Sequence, residues 1–206
     1  MAAAPPLRGR PGGQTSGAPT TVGILALQGD FEAHAKVLER LGAVAREVRL
    51  PAELDGLDAL IIPGGESTVM TLGVEREGLA EPLRALAASG TPVLGTCAGM
   101  IMLDREHLGI VDMRTNRNAF GRQIRSFEAE VELAGVDGGP IRAVFIRAPW
   151  VQECGDGVEV LARVDGHPVA VRAGNVIAVS FHPELSGETR VHELLLQAVP
   201  AGSRSA

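Results

Sequence analysis

A chain of 206 residues holds one α/β domain of ordinary size and gives no reason to ask for two. Nineteen basic residues, of which only Lys36 is a lysine, face 25 acidic ones for a net charge of −6, so the basic stripe that nucleic-acid phosphates require is missing. Five Phe, Trp150 and no Tyr argue against a base-stacking platform, no apolar run reaches the roughly 18 to 20 residues that cross a bilayer, and two cysteines make no disulfide framework, which leaves a mildly acidic protein expected in the cytoplasm.

The first 21 residues, MAAAPPLRGRPGGQTSGAPTT, hold four of the 13 prolines and four of the 26 glycines and are expected to form a disordered leader. Residues 22–199 are expected to be the folded domain, followed by a flexible tail over 200–206. VGILALQ (22–28) reads as a buried parallel strand. Asp30 is placed to cap a helix over 31–42, whose Phe31, Ala35, Leu38 and Leu41 recur at three and four residues, with Gly42 at its end. AVAREV is the second strand, a turn with Pro51 and Gly56 follows, and LDALIIP is the third. A helix over 79–90 leads to strand TPVLGT (91–96) and a helix over 98–109. Beyond residue 120, RSFEAEVEL, IRAVFIR, VEVLARV, HPVAVRA and NVIAVSF read as strands between Gly/Asp/Pro turns, and RVHELLLQAV as a last helix. The alternation predicts a mostly parallel sheet covered by helices, with an added antiparallel portion.

In open α/β sheets ligands gather beyond the carboxyl ends of the strands. Three such ends carry unusual residues here. Gly95-Thr96-Cys97-Ala98-Gly99 is G-x-C-x-G, the cysteine version of the nucleophile elbow. The turn is tight, so a Cβ at either flank would crowd it. A helix N-terminus favours thiolate over thiol, and the N–H of Ala98 is a natural oxyanion donor. Taken alone, the pentapeptide also fits a buried structural cysteine between packing glycines. The second end is VIAVSF followed by His182-Pro183-Glu184. An imidazole there is poised as a general base, and a carboxylate two residues on can orient its far nitrogen. A lone histidine after a strand is more often structural; the elbow cysteine at another strand end turns the balance. The third is Pro63-Gly64-Gly65-Glu66-Ser67-Thr68, where Ser67 and Thr68 can cap a following helix and bind a polar substrate. It matches neither phosphate-loop pattern, and on its own it is an ordinary turn. Cys154 reads as a loop or edge cysteine. His34, His107, His167 and His192 are scattered along the chain without metal-ligand spacing, so no metal is expected.

Cys97, His182 and Glu184 in this order, with PGGES upstream, resemble the class I (triad-type) glutamine amidotransferases. GILALQGDFEAH, PGGEST, GTCAGM, RNAFGRQ (117–123), FIRAP (145–149) and FHPEL resemble, more narrowly, the family of glutaminase subunits of pyridoxal 5′-phosphate synthase, across residues 22–198. The resemblance implies a flavodoxin-like three-layer fold and hydrolysis of L-glutamine to L-glutamate and ammonia. It implies Cys97 as nucleophile, His182 as base and acid, Glu184 as orienter, and Gly65, Glu66, Ser67, Arg117, Ile146 and Arg147 as glutamine contacts. Oxyanion donors would come from Gly65 and Ala98, with Gln28 gating or completing that hole. It further implies no cofactor, and a synthase subunit as partner in a hetero-oligomeric ring for vitamin B6 synthesis. The chain departs from the family in two places: the connection MIMLDREHLGIVDM is short, and the Ala/Pro/Gly leader is extra. Two rival readings stay open, another cysteine hydrolase of the DJ-1/PfpI group and a catalytically silent binding module of a synthase.

Overall fold

The computed structural model describes residues 18–117 and 126–200. Strands β1 (Thr21–Leu25), β2 (Val44–Val48), β3 (Ala59–Ile62), β4 (Val93–Thr96), β5 (Met113–Asn116), β6 (Ser126–Val131), β7 (Ile141–Ile146), β8 (Trp150–Cys154), β9 (Glu159–Val164), β10 (His167–Ala173) and β11 (Val176–Val179) alternate with helices α1 (Phe31–Arg40), α2 (Ser67–Arg76), α3 (Ala80–Ala88), α4 (Ala98–Leu103) and α5 (Arg190–Gln197). A seven-stranded sheet runs in the order β2-β1-β3-β4-β11-β10-β9. Its first five strands are parallel, and β10 and β9 add the antiparallel edge. Two hairpin-like pairs, β5 with β8 and β6 with β7, stand outside it. This is the expected mixed, mostly parallel architecture.

The short apolar strands are buried because both faces of the sheet are covered, and successive residues point to opposite faces. Ile24, Ile61, Leu94 and Ile177 join one core with Leu38 of α1, Leu195 of α5 and Phe145 of β7. Their neighbours Leu25, Ile62, Val93 and Ala178 join the other, with Met70 of α2, Leu83 of α3 and Met100 of α4. Helices therefore lie on both faces, in three layers. None of the described helices is long and apolar enough to cross a membrane.

Several boundaries differ from expectation, each for a local reason. The helix read over 98–109 stops at Leu103, because the buried Asp104 carboxylate takes the backbone N–H groups of Glu106 and Thr115 instead of letting the helix continue. The turn at Pro51 is one turn of 3₁₀ helix, Pro51–Leu54. β5 and β8 were invisible to periodicity, since each is short and completed only by pairing with the other. The leader beyond residue 17 enters the fold: Thr20 accepts a backbone bond from Val44, and β1 begins at Thr21. Residues 1–17 and 201–206 lie outside the described residues, as do positions 118–123 of the RNAFGRQ string.

The register of the parallel strands sets the site. Ile62 pairs with Gly95, and Val179 pairs with Thr96. The segments after β3, β4 and β11 thus emerge side by side at one edge, and the segment after β1 emerges beside them.

Candidate active site

Cys97 stands between β4 and α4 with φ of 50°, a left-handed conformation that side chains other than glycine rarely adopt. The surrounding contacts hold it there. Its N–H donates to Val179 O at 2.8 Å, tying the bend to β11. A Cβ on Gly99 would run into the Ile62 carbonyl oxygen, and one on Gly95 would stand 2.8 Å from the Gly99 carbonyl. The two glycines are therefore required by close approach, as the pentapeptide predicted. The sulfur faces Ile146 O at 3.8 Å.

His182 is 4% exposed, and its N–H on the backbone donates to Val144 O at 2.8 Å, which anchors the segment after β11 to β7. Its Nδ1 lies 2.7 Å from Glu184 Oε1, so Nδ1 carries the hydrogen and Nε2 is left for the cysteine. Burial by itself would push the imidazolium down. Hydrogen bonds with Cys97 and Glu184, and the charges of both, outweigh burial and raise it to about 10. The arrangement favours a charged His182 imidazolium beside the sulfur. Asp30 Oδ2 approaches the same Nδ1 at 3.9 Å. Asp30, His182 and Glu184 are close enough to share an ion, but the Nδ1 hydrogen is already committed to Glu184.

The loop after β3 closes the other side. Glu66, not Ser67 or Thr68, caps α2: its carboxylate accepts from Thr68 N at 3.2 Å and Val69 N at 2.9 Å. Those two N–H groups and the Arg117 charge hold it below the usual carboxylate range. Gln28 Oε1 accepts from Glu66 N at 2.6 Å, so the segment after β1 pins this loop. Asp30 occupies the N-cap position of α1, yet its side chain makes no capping bond.

A cavity of about 170 Å³ opens above the sulfur. Its lining includes Cys97 and Ala98 together with Gly65, Glu66, Ser67, Arg117, Ile146 and Arg147. All the residues named from sequence as substrate contacts thus meet at one opening, joined by Ile101, which sequence reading missed. Arg147 has a positive φ of 45°, which turns the chain at the end of β7 beside the sulfur. Arg117 is held from behind. Its Nη2 donates to His107 Nε2 at 2.7 Å, and His107 Nδ1 donates in turn to Asp104 Oδ1 at 2.7 Å. The connection after α4 thus carries the support for Arg117.

Residues 24–200 match the model of the SNO glutamine amidotransferase family. The chain belongs to that family. It is 53% identical over 190 residues to the pyridoxal 5′-phosphate synthase subunit PdxT of Mycolicibacterium vanbaalenii, covering 86% of this chain and 97% of the relative. The PdxT of Streptomyces avermitilis is likewise 53% identical, over 189 residues that cover 87% and 94% of the two chains. Among solved structures, a glutamine amidotransferase crystal structure superposes with a TM-score of 0.81 at 45% identity, covering 86% of this chain and 98% of that one. The PurLQS structure from Thermotoga maritima shares the fold, with a TM-score of 0.70 at 20% identity over 88% of this chain and 99% of that one. Membership in the amidotransferase family removes the DJ-1/PfpI reading.

Proposed function

We propose that this chain is a glutaminase, and that Cys97, His182 and Glu184 hydrolyse L-glutamine to L-glutamate and ammonia. The observation that carries this is the His182–Glu184 relay beside Cys97, opening on a cavity that Arg117, Arg147 and the Gly65–Ser67 loop line. An arginine clamps the substrate α-carboxylate, and the side-chain amide reaches the sulfur. The thiolate attacks the amide carbon, and the oxyanion is held by N–H groups of Gly65 and Ala98. His182 then gives its proton to the leaving nitrogen, the C–N bond breaks, and ammonia departs from a γ-glutamyl thioester. Water, deprotonated by His182, attacks the thioester. Glutamate leaves and the thiolate–imidazolium pair returns.

Free ammonia in water becomes ammonium, so the product is useful only when passed on directly. Its relatives are named subunits of pyridoxal 5′-phosphate synthase, which supports delivery to a synthase subunit for vitamin B6 synthesis; the hetero-oligomeric ring and the cytoplasmic setting are part of the proposal. Val69 and Leu72 of α2, and Leu185 next to Glu184 in the chain, are exposed apolar side chains that such a partner would cover. The test is glutamate release by the chain with its synthase, wild type against Cys97→Ala. Release above the variant's background is expected; none would leave only a binding role.

A further inference from the structure

Beneath the triad lies a second line of buried polar groups that the reaction above does not use. Glu184 Oε2 is buried and makes no aligned hydrogen bond among the described residues. A carboxylate oxygen in that position is costly unless a donor serves it. The nearest nitrogen is His34 Nε2, 3.4 Å away, with both side chains fully enclosed. His34 comes from α1, and its Nε2 also meets Thr96 Oγ1, one residue before Cys97, at 3.2 Å. On its other side His34 Nδ1 lies 2.9 Å from His192 Nε2 of α5.

The hydrogens along this line have one good arrangement. Burial, and then the neighbouring His192 and His182, hold His34 well below 6.5, and burial with the Arg40 charge, opposed by Glu188, lowers His192 to about 4. Both rings are neutral at physiological pH, so each carries a single N–H. Were His34 to donate from Nδ1, its Nε2 lone pair would face the carboxylate. His192 would then keep its hydrogen on Nδ1, a buried atom without a partner. The opposite tautomer avoids both penalties. His192 Nε2–H donates to His34 Nδ1, and His34 Nε2–H points toward Thr96 Oγ1 and Glu184 Oε2. On the two rings only a lone pair on His192 Nδ1 goes unmet, which is far cheaper than a stranded N–H or a repelled carboxylate.

We propose that His34 is a positioning residue for the triad, its Nε2–H serving Glu184 Oε2 while Oε1 holds His182 Nδ1, and that His192 fixes the tautomer that makes this possible. The proposal rests on the glutaminase reading only for its consequence in turnover. In the resting protein Thr96 takes the shorter contact; the Glu184 contact closes as the relay carries charge, as hydrogen bonds at reactive sites commonly do. The titratable groups facing Glu184 are His182 on its own segment, Asp30 just before α1, His34 of α1, and Cys97 beyond His182, with His192 one ring further. Removing the His34 donor leaves a buried carboxylate oxygen with no donor near it, so Glu184 supports the raised His182 imidazolium less well and that imidazolium loses its proton at lower pH.

Two measurements on the full-length chain decide it. Long-range ¹H–¹⁵N spectra of ¹⁵N-histidine-labelled protein are expected to show His34 as the Nε2–H tautomer; an Nδ1–H signal overturns the proposal without any variant. The pH dependence of Cys97 alkylation by iodoacetamide is then compared among wild type, His34→Leu and His34→Gln, the last keeping an N–H near Nε2. In His34→Leu the basic-side midpoint, where the His182 imidazolium loses its proton, is expected to fall by about one pH unit, the equivalent of one hydrogen bond to a charged group. With glutamine and the synthase, its kcat is expected to fall about tenfold with KM little changed, and His34→Gln to recover most of both. A folded His34→Leu with the wild-type midpoint, or a His34→Gln as impaired as His34→Leu, reduces His34 to packing. A wild type whose Cys97 is alkylated normally but which releases no glutamate would fail the glutaminase reading instead, and the spectra and alkylation midpoints would still decide the role of His34.

Discussion

Gly64 lies against the His182 imidazole: a Cβ there would overlap Cε1, stand 3.0 Å from Nδ1 and approach Cys97 Cβ to 3.3 Å. The loop after β3 is thus a wall for the base as well as a part of the opening.

Gly64→Ala is expected to displace the imidazole and lower kcat/KM about 100-fold, since an ångström of misplacement costs that much. The added methyl meets side chains at the site rather than the core, so the thermal unfolding midpoint should move by only a few degrees. Steady-state glutaminase kinetics beside a thermal melt check this. A fully active Gly64→Ala would mean that His182 does not work from its observed position.

Gln28 carries a second expectation. Its Oε1 accepts the Glu66 N–H at 2.6 Å, and a Cβ on Gly65 would stand 2.7 Å from the same oxygen, so the amide is packed against the loop it pins. Gln28→Leu keeps much of the volume but strands a polar group and frees the loop. The loss of one such bond corresponds to about tenfold in rate. It should appear in kcat, because the loop carries Gly65, proposed above as an oxyanion donor that acts in the transition state. Turnover measured at saturating glutamine reads it, and a change confined to KM would assign the loop to ground-state binding alone.

The contrast between what the chain reveals in sequence and what it hides is physical. Cys97 and its two glycines are readable because a tight bend admits few residue types, and the clash of a Cβ at Gly99 with the Ile62 carbonyl shows why. Buried strands such as ALII and VLGT are readable because apolar runs flanked by turn residues have few other uses. Asp104 is different. A helical pattern runs straight through it, and only the distant Thr115 backbone, brought back by β5, shows that its carboxylate ends the helix. His34 and His192 stand 158 positions apart and look unrelated until α1 and α5 cover the same face of the sheet. Local signals report local needs, and the partners of long-range polar contacts leave none.

His107 offers a test of how the cavity holds its arginine. Because Arg117 donates to Nε2, His107 must keep its hydrogen on Nδ1 for Asp104, and that carboxylate is also fixed by Thr115 and Glu106. His107→Leu removes the acceptor behind Arg117 without touching the sulfur. KM for glutamine is expected to rise about tenfold with kcat within a few-fold, the pattern of lost uniform binding. His107→Gln, which presents a carbonyl oxygen, should lie between. An unchanged KM in His107→Leu would place Arg117 outside the binding of the substrate.

The same two buried histidines that support Glu184 predict how stability depends on pH. In the unfolded chain each titrates near 6.5, whereas in the fold burial keeps His192 neutral down to about 4 and His34 neutral well below 6.5. Above 6.5 neither state binds these protons, and their contribution is fully present. As pH falls below 6.5 the unfolded chain takes up protons that the folded chain refuses, so stability is lost with acid at about 1.4 kcal/mol per pH unit for each histidine. For His192 the loss is complete near its folded value of about 4 and amounts to about 3 kcal/mol. Urea unfolding between about pH 7 and pH 5 should show a falling midpoint at constant slope in urea. His192→Gln keeps a donor for His34 and no longer titrates, so it should roughly halve the pH dependence. A midpoint that stays level to pH 5 would mean that both rings take up protons in the folded protein, and the tautomer assigned to His34 would fall with it.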